Sequence, residues 1–248
     1  MTQPQFLTTT QGRLIAYHHT QGQGPGVVFL GGFRSDMTGT KAMYLQDWAQ
    51  SQGRAFLRFD YSGHGQSSGE FLDGAVGDWY EDALDAITRL TVGPQVLVGS
   101  SMGGWISLLV AKAIPGRVAG MVGIAAAPDF TEDGMWSEFS DAQRRDLIDK
   151  GQVELPSEYS DAPYIITRRL IEDGRNRLVL RDPLPLPFAV RLLQGTADTD
   201  VPTTVALRLL DHAVCPDMAL TLVKGADHRF SSPACLKMIL QALQDILS

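Results

Sequence analysis

The sequence has few of the features that mark secreted, membrane or metal-binding proteins. Its 248 residues include only two cysteines, Cys215 and Cys235, and neither lies in a C-x-x-C or Cys/His ligand pattern. We therefore expect two buried or partly buried free thiols. No stretch reaches the roughly 18 apolar residues that a membrane helix needs, and the sequence does not open with a basic segment followed by an apolar run. These absences predict a cytoplasmic protein with no stable membrane association.

Clustered positive charge is also scarce. The formal net charge is -7 at pH 7, and no run of lysine or arginine is longer than two residues. Nucleic acids and anionic membrane surfaces attract proteins through basic patches, so neither is expected as the main partner. A chain of 248 residues with 44% hydrophobic content is sufficient for one domain with a large core. A small-molecule substrate is the partner that we expect.

Short apolar runs alternate with helical periodicity along most of the chain. After a hairpin at 6–9 and 13–18, strands are predicted at 27–30, 55–60, 96–98, 121–126, 190–194 and 219–223. Helices are predicted at 40–52, 77–90, 101–113, 203–210 and 233–247. This alternation is typical of an α/β fold with a mostly parallel central sheet flanked by helices.

The alternation breaks between residues 129 and 187. This stretch is acidic and proline-rich in places, and helical pieces are predicted at 140–150 and 161–172. We interpret it as a small helical lid inserted between strands. The whole chain, 1–248, is then a single domain.

The most specific motif is a serine turn at the end of the strand 96–98. Gly99-Ser100-Ser101-Met102-Gly103 places glycines two residues before and two residues after Ser101. Such glycines let a strand and a helix pass closely around a sharp turn that exposes the serine hydroxyl. Centring the motif on Ser100 would require a glycine at Val98. Ser101 is therefore the candidate nucleophile, and a plain strand-to-helix turn is the alternative.

A serine hydroxyl is a poor nucleophile at neutral pH and needs a general base. Among the five histidines, His228 is preferred because it follows the last predicted strand. That position is at the carboxyl edge of the sheet, where α/β sites form. Structural roles are expected for the others, namely His18 and His19 on an early edge strand, His64 in a glycine turn, and His212 at a helix end.

An acid must orient this base, and the loop after the penultimate strand offers two carboxylates. Asp198 and Asp200 both lie between Ser101 and His228 in the chain. Asp198 is preferred, because Asp200 could instead cap the next helix. Asp227 precedes the histidine directly, and adjacent side chains of an extended segment point apart.

The chemistry also needs hydrogen-bond donors for a developing oxyanion, conventionally two backbone amides. The candidates are the amides of Met102, after the serine, and Phe33, in the glycine loop that follows the strand 27–30. The same glycines could instead serve a tight turn alone. Arg34 could meet an anionic substrate group or simply face solvent.

These residues resemble the α/β-hydrolase superfamily and, more closely, the mitochondrial abhydrolases described as palmitoyl-protein thioesterases and acyl-glucuronide esterases. The similar stretches are 32–33 with 37–42, 58–63, 99–105, 191–195 and 227–229. The resemblance implies the α/β-hydrolase fold, with Ser101 as nucleophile, Asp198 as acid and His228 as base. The chain differs in lacking an arginine-rich transit segment, which suggests a bacterial cytoplasmic protein, and in Arg34-Ser35-Asp36 beside the glycine loop.

The activity expected is hydrolysis of carboxylic esters or thioesters through an acyl-enzyme, with no cofactor and no metal. The substrate would be a small ester or thioester or an acylated protein. The alternatives are a ligand-sensing protein with slow catalytic turnover, a C–C bond hydrolase and a peptide hydrolase. Within the lid, Met135, Trp136, Phe139, Leu147 and Ile148 are candidates to face the acyl chain, although core packing explains each of them equally well.

Overall fold

The computed structural model describes residues 3–155 and 163–248. Its strands are β1 (Gln5–Thr8), β2 (Leu14–Thr20), β3 (Gln23–Leu30), β4 (Arg54–Phe59), β5 (Gln95–Ser100), β6 (Val118–Ile124), β7 (Gln152–Leu155), β8 (Tyr164–Thr167), β9 (Leu184–Pro185), β10 (Ala189–Gly195), β11 (Ala213–Val214) and β12 (Met218–Val223). Its α-helices are α1 (Thr40–Ser51), α2 (Val76–Leu90), α3 (Met102–Ala113), α4 (Asp141–Lys150), α5 (Arg168–Arg175), α6 (Thr203–His212) and α7 (Pro233–Leu247). A π-helical segment covers Phe130–Trp136.

Eight of these strands form one sheet in the order β1-β2-β4-β3-β5-β6-β10-β12. Neighbours from β4 to β12 in this order are parallel, whereas β2 is antiparallel to both β1 and β4. The predicted hairpin and the mostly parallel central sheet are thus confirmed. Parallel strands place all their carboxyl ends at one edge, so the loops that follow them meet there.

Helices cover both faces of the sheet and form an apolar cluster on each. The first cluster contains Trp79 of α2 and Trp105 of α3, and the second contains Leu45 of α1 and Ile239 of α7. Side chains along a strand alternate between faces, so Leu97 of β5 packs in the first cluster while its neighbours at 96 and 98 pack in the second. The centre of the sheet is therefore buried on both sides, which explains its unbroken apolar strands.

Two sequence predictions about individual elements are wrong. The helix predicted over 161–172 begins only at Arg168, because Tyr164–Thr167 is strand β8, paired antiparallel with β7. An aromatic residue followed by three β-branched residues favours a strand, and the Thr167 hydroxyl accepts a hydrogen bond from the Leu170 amide that caps the helix. Positions 161 and 162 lie outside the described residues.

The second error concerns His18 and His19, which were expected on an edge strand. They lie on β2, which has β1 on one side and β4 on the other. The short strand β1 forms the edge instead.

Cys215 and Cys235 are free thiols, partly buried and buried respectively, as expected. Within the described ranges, no helix is long and apolar enough to span a membrane.

The segment between β6 and β10 is tied at its two ends by one buried carboxylate. Asp129 accepts hydrogen bonds from the amides of Val179 at 2.8 Å and Leu180 at 3.0 Å, and it pairs with Arg181 at 3.2 Å. Burial raises the pKa of Asp129 even though these hydrogen bonds oppose the rise. The role of 129–187 as a lid, and the single domain that contains it, stay predictions.

The apolar residues predicted to face an acyl chain differ in their surroundings. Phe139 and Leu147 are buried in the first apolar cluster, and Met135 and Trp136 pack partly buried against it. Ile148 is 54% exposed. Packing therefore accounts for the first two, and Met135 and Trp136 are the better candidates to meet a ligand.

The close approach of α3 to the sheet gives a stability test. A Cβ atom on Gly103 would lie 2.1 Å from the backbone oxygen of Leu30, which has no rotamer with which to move away. We expect Gly103→Ala to lower the free energy of unfolding by roughly 1–3 kcal/mol or more, measured by urea denaturation. Gly116→Ala is the control, because no described atom lies within 4 Å of the added Cβ. Equal denaturation midpoints for the two variants would contradict the close approach.

Candidate active site

Ser101 occupies the sharp turn between β5 and α3. Its backbone has φ 53° and ψ -118°, a conformation that is unusual for any residue with a Cβ. Three hydrogen bonds hold it there: its N–H donates to the Ile124 carbonyl at 2.9 Å, and its carbonyl accepts from the amides of Gly104 at 2.9 Å and Ala127 at 3.1 Å. The turn is thus fixed by the neighbouring strand β6 and by the first turn of α3.

The glycines of the motif are required by close contacts. A Cβ on Gly99 would lie 2.4 Å from the Gly103 carbonyl oxygen. Gly104, the residue after the motif, is equally confined, because its Cβ would lie 2.6 Å from the Cβ of Ala126. The backbone crossing inferred from the motif is present, and it leaves the Ser101 side chain partly exposed at the carboxyl edge of the sheet.

The structure brings His228 to this serine across 127 positions of the chain. The histidine lies in the loop after β12, and its Nε2 is 3.1 Å from the Ser101 Oγ. Its side chain is 20% exposed. Parallel strands order the two loops next to each other, as the sequence analysis expected.

Asp198 contacts the other side of the same imidazole. Its carboxylate oxygens are 2.9 and 3.1 Å from Nδ1 of His228, and its side chain is fully buried. The carboxylate also accepts hydrogen bonds from the Val201 amide at 2.8 Å and from Gln194 Nε2 at 2.8 Å. Burial opposes the charge, but the hydrogen bonds from His228, Val201 and Gln194 outweigh it and lower the pKa of Asp198. The carboxylate is therefore ionised at neutral pH.

The competing carboxylates lie elsewhere. Asp200 Oδ2 lies 4.0 Å from Nε2 of His228, the nitrogen that faces Ser101, and Asp227 accepts from the Phe230 amide at 3.1 Å. The N-cap of α6 is Pro202, not Asp200. Of the candidate acids, Asp198 is the one on Nδ1.

Gln194 is a site residue that sequence reasoning missed. It is fully buried at the end of β10, and its Nε2 donates to Asp198 at 2.8 Å and to the Val201 carbonyl at 2.9 Å. A glutamine directly after the apolar Leu192 and Leu193 was the available signal, because a buried amide needs partners. Gln194 fixes the turn that presents the Asp198 carboxylate.

The glycine loop after β3 lies beside the serine. A Cβ on Gly32 would come within 3.4 Å of both the Ser101 Cβ and the Ser100 carbonyl oxygen, so a glycine permits this approach. Phe33 is the next residue of the loop. Met102 is the first residue of α3, where backbone amides have no acceptor within the helix. Both candidate donors thus belong to segments that adjoin Ser101.

His64 is a buried residue that forms a hydrogen bond with this glycine loop. It is 4% exposed, and its ring lies between the Ser62 carbonyl, 3.1 Å from Nδ1, and the Arg34 amide, which donates to Nε2 at 3.3 Å. Burial lowers the pKa of His64, which keeps the ring neutral with Nδ1–H as donor and Nε2 as acceptor. His64 therefore has the structural role that was expected: it accepts a hydrogen bond from the amide of Arg34, the residue that follows Phe33.

Arg34 is exposed, and its guanidinium carbon lies 4.8 Å from the ring centroid of Phe71 and 5.1 Å from that of Tyr164. Tyr164 belongs to β8, so this arginine joins the glycine loop to the segment predicted to be a lid. The contact between the two segments follows from stacking of a cation on aromatic faces. Sequence reasoning left the partner of Arg34 open.

Asp198, Asp200 and His228 have donor atoms within 4.8 Å of one another, a spacing that could hold a metal ion. The hydrogen bonds between Asp198 and His228 already account for most of this proximity. The arrangement is the one expected for proton transfer at Ser101.

Comparison with known proteins places the chain in a family. The model of the family described as serine aminopeptidase, S33, matches residues 26–161. The rat protein named palmitoyl-protein thioesterase ABHD10, mitochondrial, is 35% identical over 246 residues, which cover 98% of this chain and 82% of that protein.

Two solved structures are similar over nearly the whole chain. A putative hydrolase from Agrobacterium vitis S4 superposes with a TM-score of 0.95 at 42% identity, covering 99% of this chain and 98% of the other. Mouse alpha/beta hydrolase domain-containing protein 10 has a TM-score of 0.93 at 34% identity, with the same coverage. The expected α/β-hydrolase fold and the resemblance to the abhydrolases are confirmed. The chain is a hydrolase that belongs to the α/β-hydrolase family described by the serine aminopeptidase, S33, model.

Proposed function

We propose that this hydrolase cleaves carboxylic esters or thioesters through an acyl-enzyme on Ser101. The observation that carries the proposal is the continuous hydrogen-bonded line from the Asp198 carboxylate through the His228 imidazole to the Ser101 hydroxyl, with contacts of 2.9 and 3.1 Å. The similarity to a protein named palmitoyl-protein thioesterase supports the choice of substrate bond.

Acylation follows from this geometry. Nε2 of His228 accepts the hydroxyl proton while the Ser101 Oγ attacks the carbonyl carbon. The negative charge that develops on the carbonyl oxygen is stabilised by the amides of Phe33 and Met102. When the tetrahedral intermediate collapses, the bond to the leaving alkoxide or thiolate breaks, and the imidazolium returns its proton to that group.

Deacylation repeats the same steps with water. His228 takes a proton from a water molecule as the water oxygen attacks the acyl carbon. The bond between the acyl carbon and the Ser101 oxygen then breaks, His228 gives the proton to that oxygen, and the carboxylic acid is released. Asp198 stays ionised throughout, since its pKa lies below the usual value. Its part is to hold Nδ1–H and to stabilise the imidazolium, so that Nε2 always faces the serine.

We also propose that 129–187 is a lid whose partly buried Met135 and Trp136 meet the acyl chain. Trp136 packs edge to face against Phe139 at 6.3 Å, and its ring lies under the guanidinium groups of Arg144 and Arg175. Such a lid would set the chain-length preference without contributing to the chemical step.

Peptide hydrolysis is a second candidate, because the matching family model is described as serine aminopeptidase. The same Ser-His-Asp chemistry cleaves amides, so the site alone does not separate the two activities. Amides and esters differ in the leaving group that the imidazolium must protonate. Substrates matched in the acyl group therefore discriminate between them.

The test is a set of p-nitrophenyl esters and matched alkyl thioesters with acyl chains from two to sixteen carbons. The parallel set contains aminoacyl p-nitroanilides and the p-nitrophenyl esters of the same amino acids, and Ser101→Ala serves as the blank. We expect turnover of esters and thioesters with a clear chain-length optimum and little turnover of the anilides. Preferred cleavage of the anilides would favour the peptidase, and no turnover above the blank would contradict both.

The assignment of the acid has a matched pair of variants. Asp198→Asn should leave the fold intact, because an amide replaces the carboxylate isosterically, and should lower kcat by orders of magnitude, roughly 10⁴-fold in the serine-protease precedent, by favouring the wrong tautomer of His228. Asp200→Asn should lower kcat only a few-fold. Both are measured with one activated ester at saturation, after circular dichroism has shown that they fold. A nearly active Asp198→Asn beside an inactive Asp200→Asn would move the acid to position 200.

A further inference from the structure

Lys41 reaches from the first turn of α1 to the histidine loop. Its Nζ donates a hydrogen bond to the backbone carbonyl of Arg229 at 2.5 Å, across 188 positions of the chain. Arg229 is the residue that follows His228. Lys41 also belongs to the stretch 37–42, one of those on which the family resemblance depends, and the proposed mechanism gives that stretch no role.

We infer that Lys41 is a positioning residue, which fixes the His228 loop so that the imidazole stays within reach of Ser101. This inference rests on the proposed function, because it assumes that His228 is the base. The lysine touches neither the substrate nor the reacting atoms. It acts through the peptide group between Arg229 and Phe230, in the loop that carries His228.

The position of the lysine is unfavourable for the helix alone. The N-terminus of a helix carries a partial positive charge, so a cation in the first turn is destabilising, and no acidic residue offsets it within the first turn of α1. The side chain is also partly buried, which costs hydration of the ammonium group. Helix stability therefore does not explain a lysine here, whereas the hydrogen bond to the loop does.

The rest of the loop shows why a second attachment is useful. On one side of Arg229, the Asp227 carboxylate accepts from the Phe230 amide, and Phe230 has φ 49° with its side chain fully buried in the second apolar cluster. The Ser231 hydroxyl also donates to the Arg229 carbonyl, at 2.9 Å. The hydrogen bonds of Asp227 and Ser231 lie within the loop and fix its internal shape, whereas the bond from Lys41 ties the loop to α1. A displacement of the whole loop would move the imidazole, and a shift of about 1 Å at a reacting group can cost on the order of 100-fold in rate.

The protonation state of the lysine gives the inference a pH signature. Burial lowers the pKa of Lys41 to about 8, while the Asp227 carboxylate and Cys235 act to raise it and the Arg229 guanidinium acts to lower it further. Below pH 8 the ammonium makes a charge-assisted hydrogen bond, which is stronger than that of a neutral amine. The attachment therefore weakens as the pH rises through about 8.

Activity and stability respond to this titration in opposite directions. The pKa of the lysine is about 8 in the folded protein and near its ordinary value of 10.5 in the unfolded chain. Between these values the unfolded chain binds more protons, so the lysine's contribution to the free energy of unfolding rises with pH. Catalysis falls over the same range. A lysine that merely stabilised the fold would change the free energy of unfolding over this range and leave the kcat of the folded enzyme unchanged.

The experiment compares Lys41→Met, Lys41→Arg and the control Lys112→Met, which removes an exposed lysine on α3. With an activated ester at pH 7, we expect Lys41→Met to lower kcat roughly 10- to 100-fold with KM changed less than about threefold, as for a misplaced base. Lys41→Arg should restore kcat to within about fivefold, because arginine keeps the charged donor. Lys112→Met should match the wild type.

The pH profile is measured from 6.5 to 9.5, with Ser101→Ala as the blank for alkaline hydrolysis. The wild-type kcat should fall with a midpoint near pH 8, and the Lys41→Arg profile should stay level. Urea denaturation of wild type and Lys41→Met at pH 7 and 9.5 should show the wild type gaining stability relative to the variant at the higher pH. If Lys41→Met does not fold, the pH profiles of kcat for Lys41→Arg and the wild type still test the inference.

Three results would overturn the inference: wild-type kcat in a folded Lys41→Met, a low kcat in Lys41→Arg equal to that of Lys41→Met, or the same alkaline profile in wild type and Lys41→Arg. A wild type that hydrolyses no ester would instead contradict the proposed function. In that event the rate of fluorophosphonate labelling of Ser101 replaces kcat in the comparison. A failure of the inference about Lys41 is thereby distinguished from a failure of the proposed function.

Discussion

The structure depends on the close contact between the N-terminal turn of α3 and the carboxyl ends of β3 and β5. Gly99 and Gly103 allow backbone to pass against backbone there, and no other residue would fit without moving the Leu30 carbonyl. This contact forces Ser101 into its positive-φ conformation. A strained serine persists only where its surroundings over-determine it, and Ile124 of β6 and Ala127 in the loop after it supply that constraint.

The remaining groups of the site reach the serine because parallel strands end at one edge. The glycine loop follows β3, Asp198 follows β10, and His228 follows β12. Each of these loops makes a hydrogen bond with a supporting side chain. His64 fastens the first, Gln194 the second and Lys41 the third, each through a hydrogen bond to backbone or carboxylate. In the proposed mechanism, these three supporting residues keep the reacting groups at hydrogen-bond distance.

Much of this could be predicted from the sequence, for reasons that differ between residues. Ser101 could be predicted because it lies in a local motif whose glycines are required by close backbone contacts at a fixed spacing. His228 could be predicted because it follows the last strand of the sheet. Asp198 and Asp200 have the same chemistry two residues apart, and only the three-dimensional turn, fixed by the Val201 amide, separates them. His64 and Lys41 bond atoms that are 30 and 188 positions away in the chain, so no local pattern predicts their roles. Gln194 bonds Asp198 only four residues away, but the turn between them had to be seen before its role was evident. Strand β8 was missed because helical periodicity was extended across its β-branched residues.

The central claim is that Ser101 is an activated nucleophile beside an oxyanion site. A fluorophosphonate tests it directly, because the probe reacts only where both are present and it then mimics the tetrahedral intermediate. Peptide mass spectrometry of the labelled wild type should place the adduct on Ser101. Ser101→Ala should take up no label, and Ser100→Ala should be labelled like the wild type. An adduct on Ser100, or undiminished labelling of Ser101→Ala, would contradict the account.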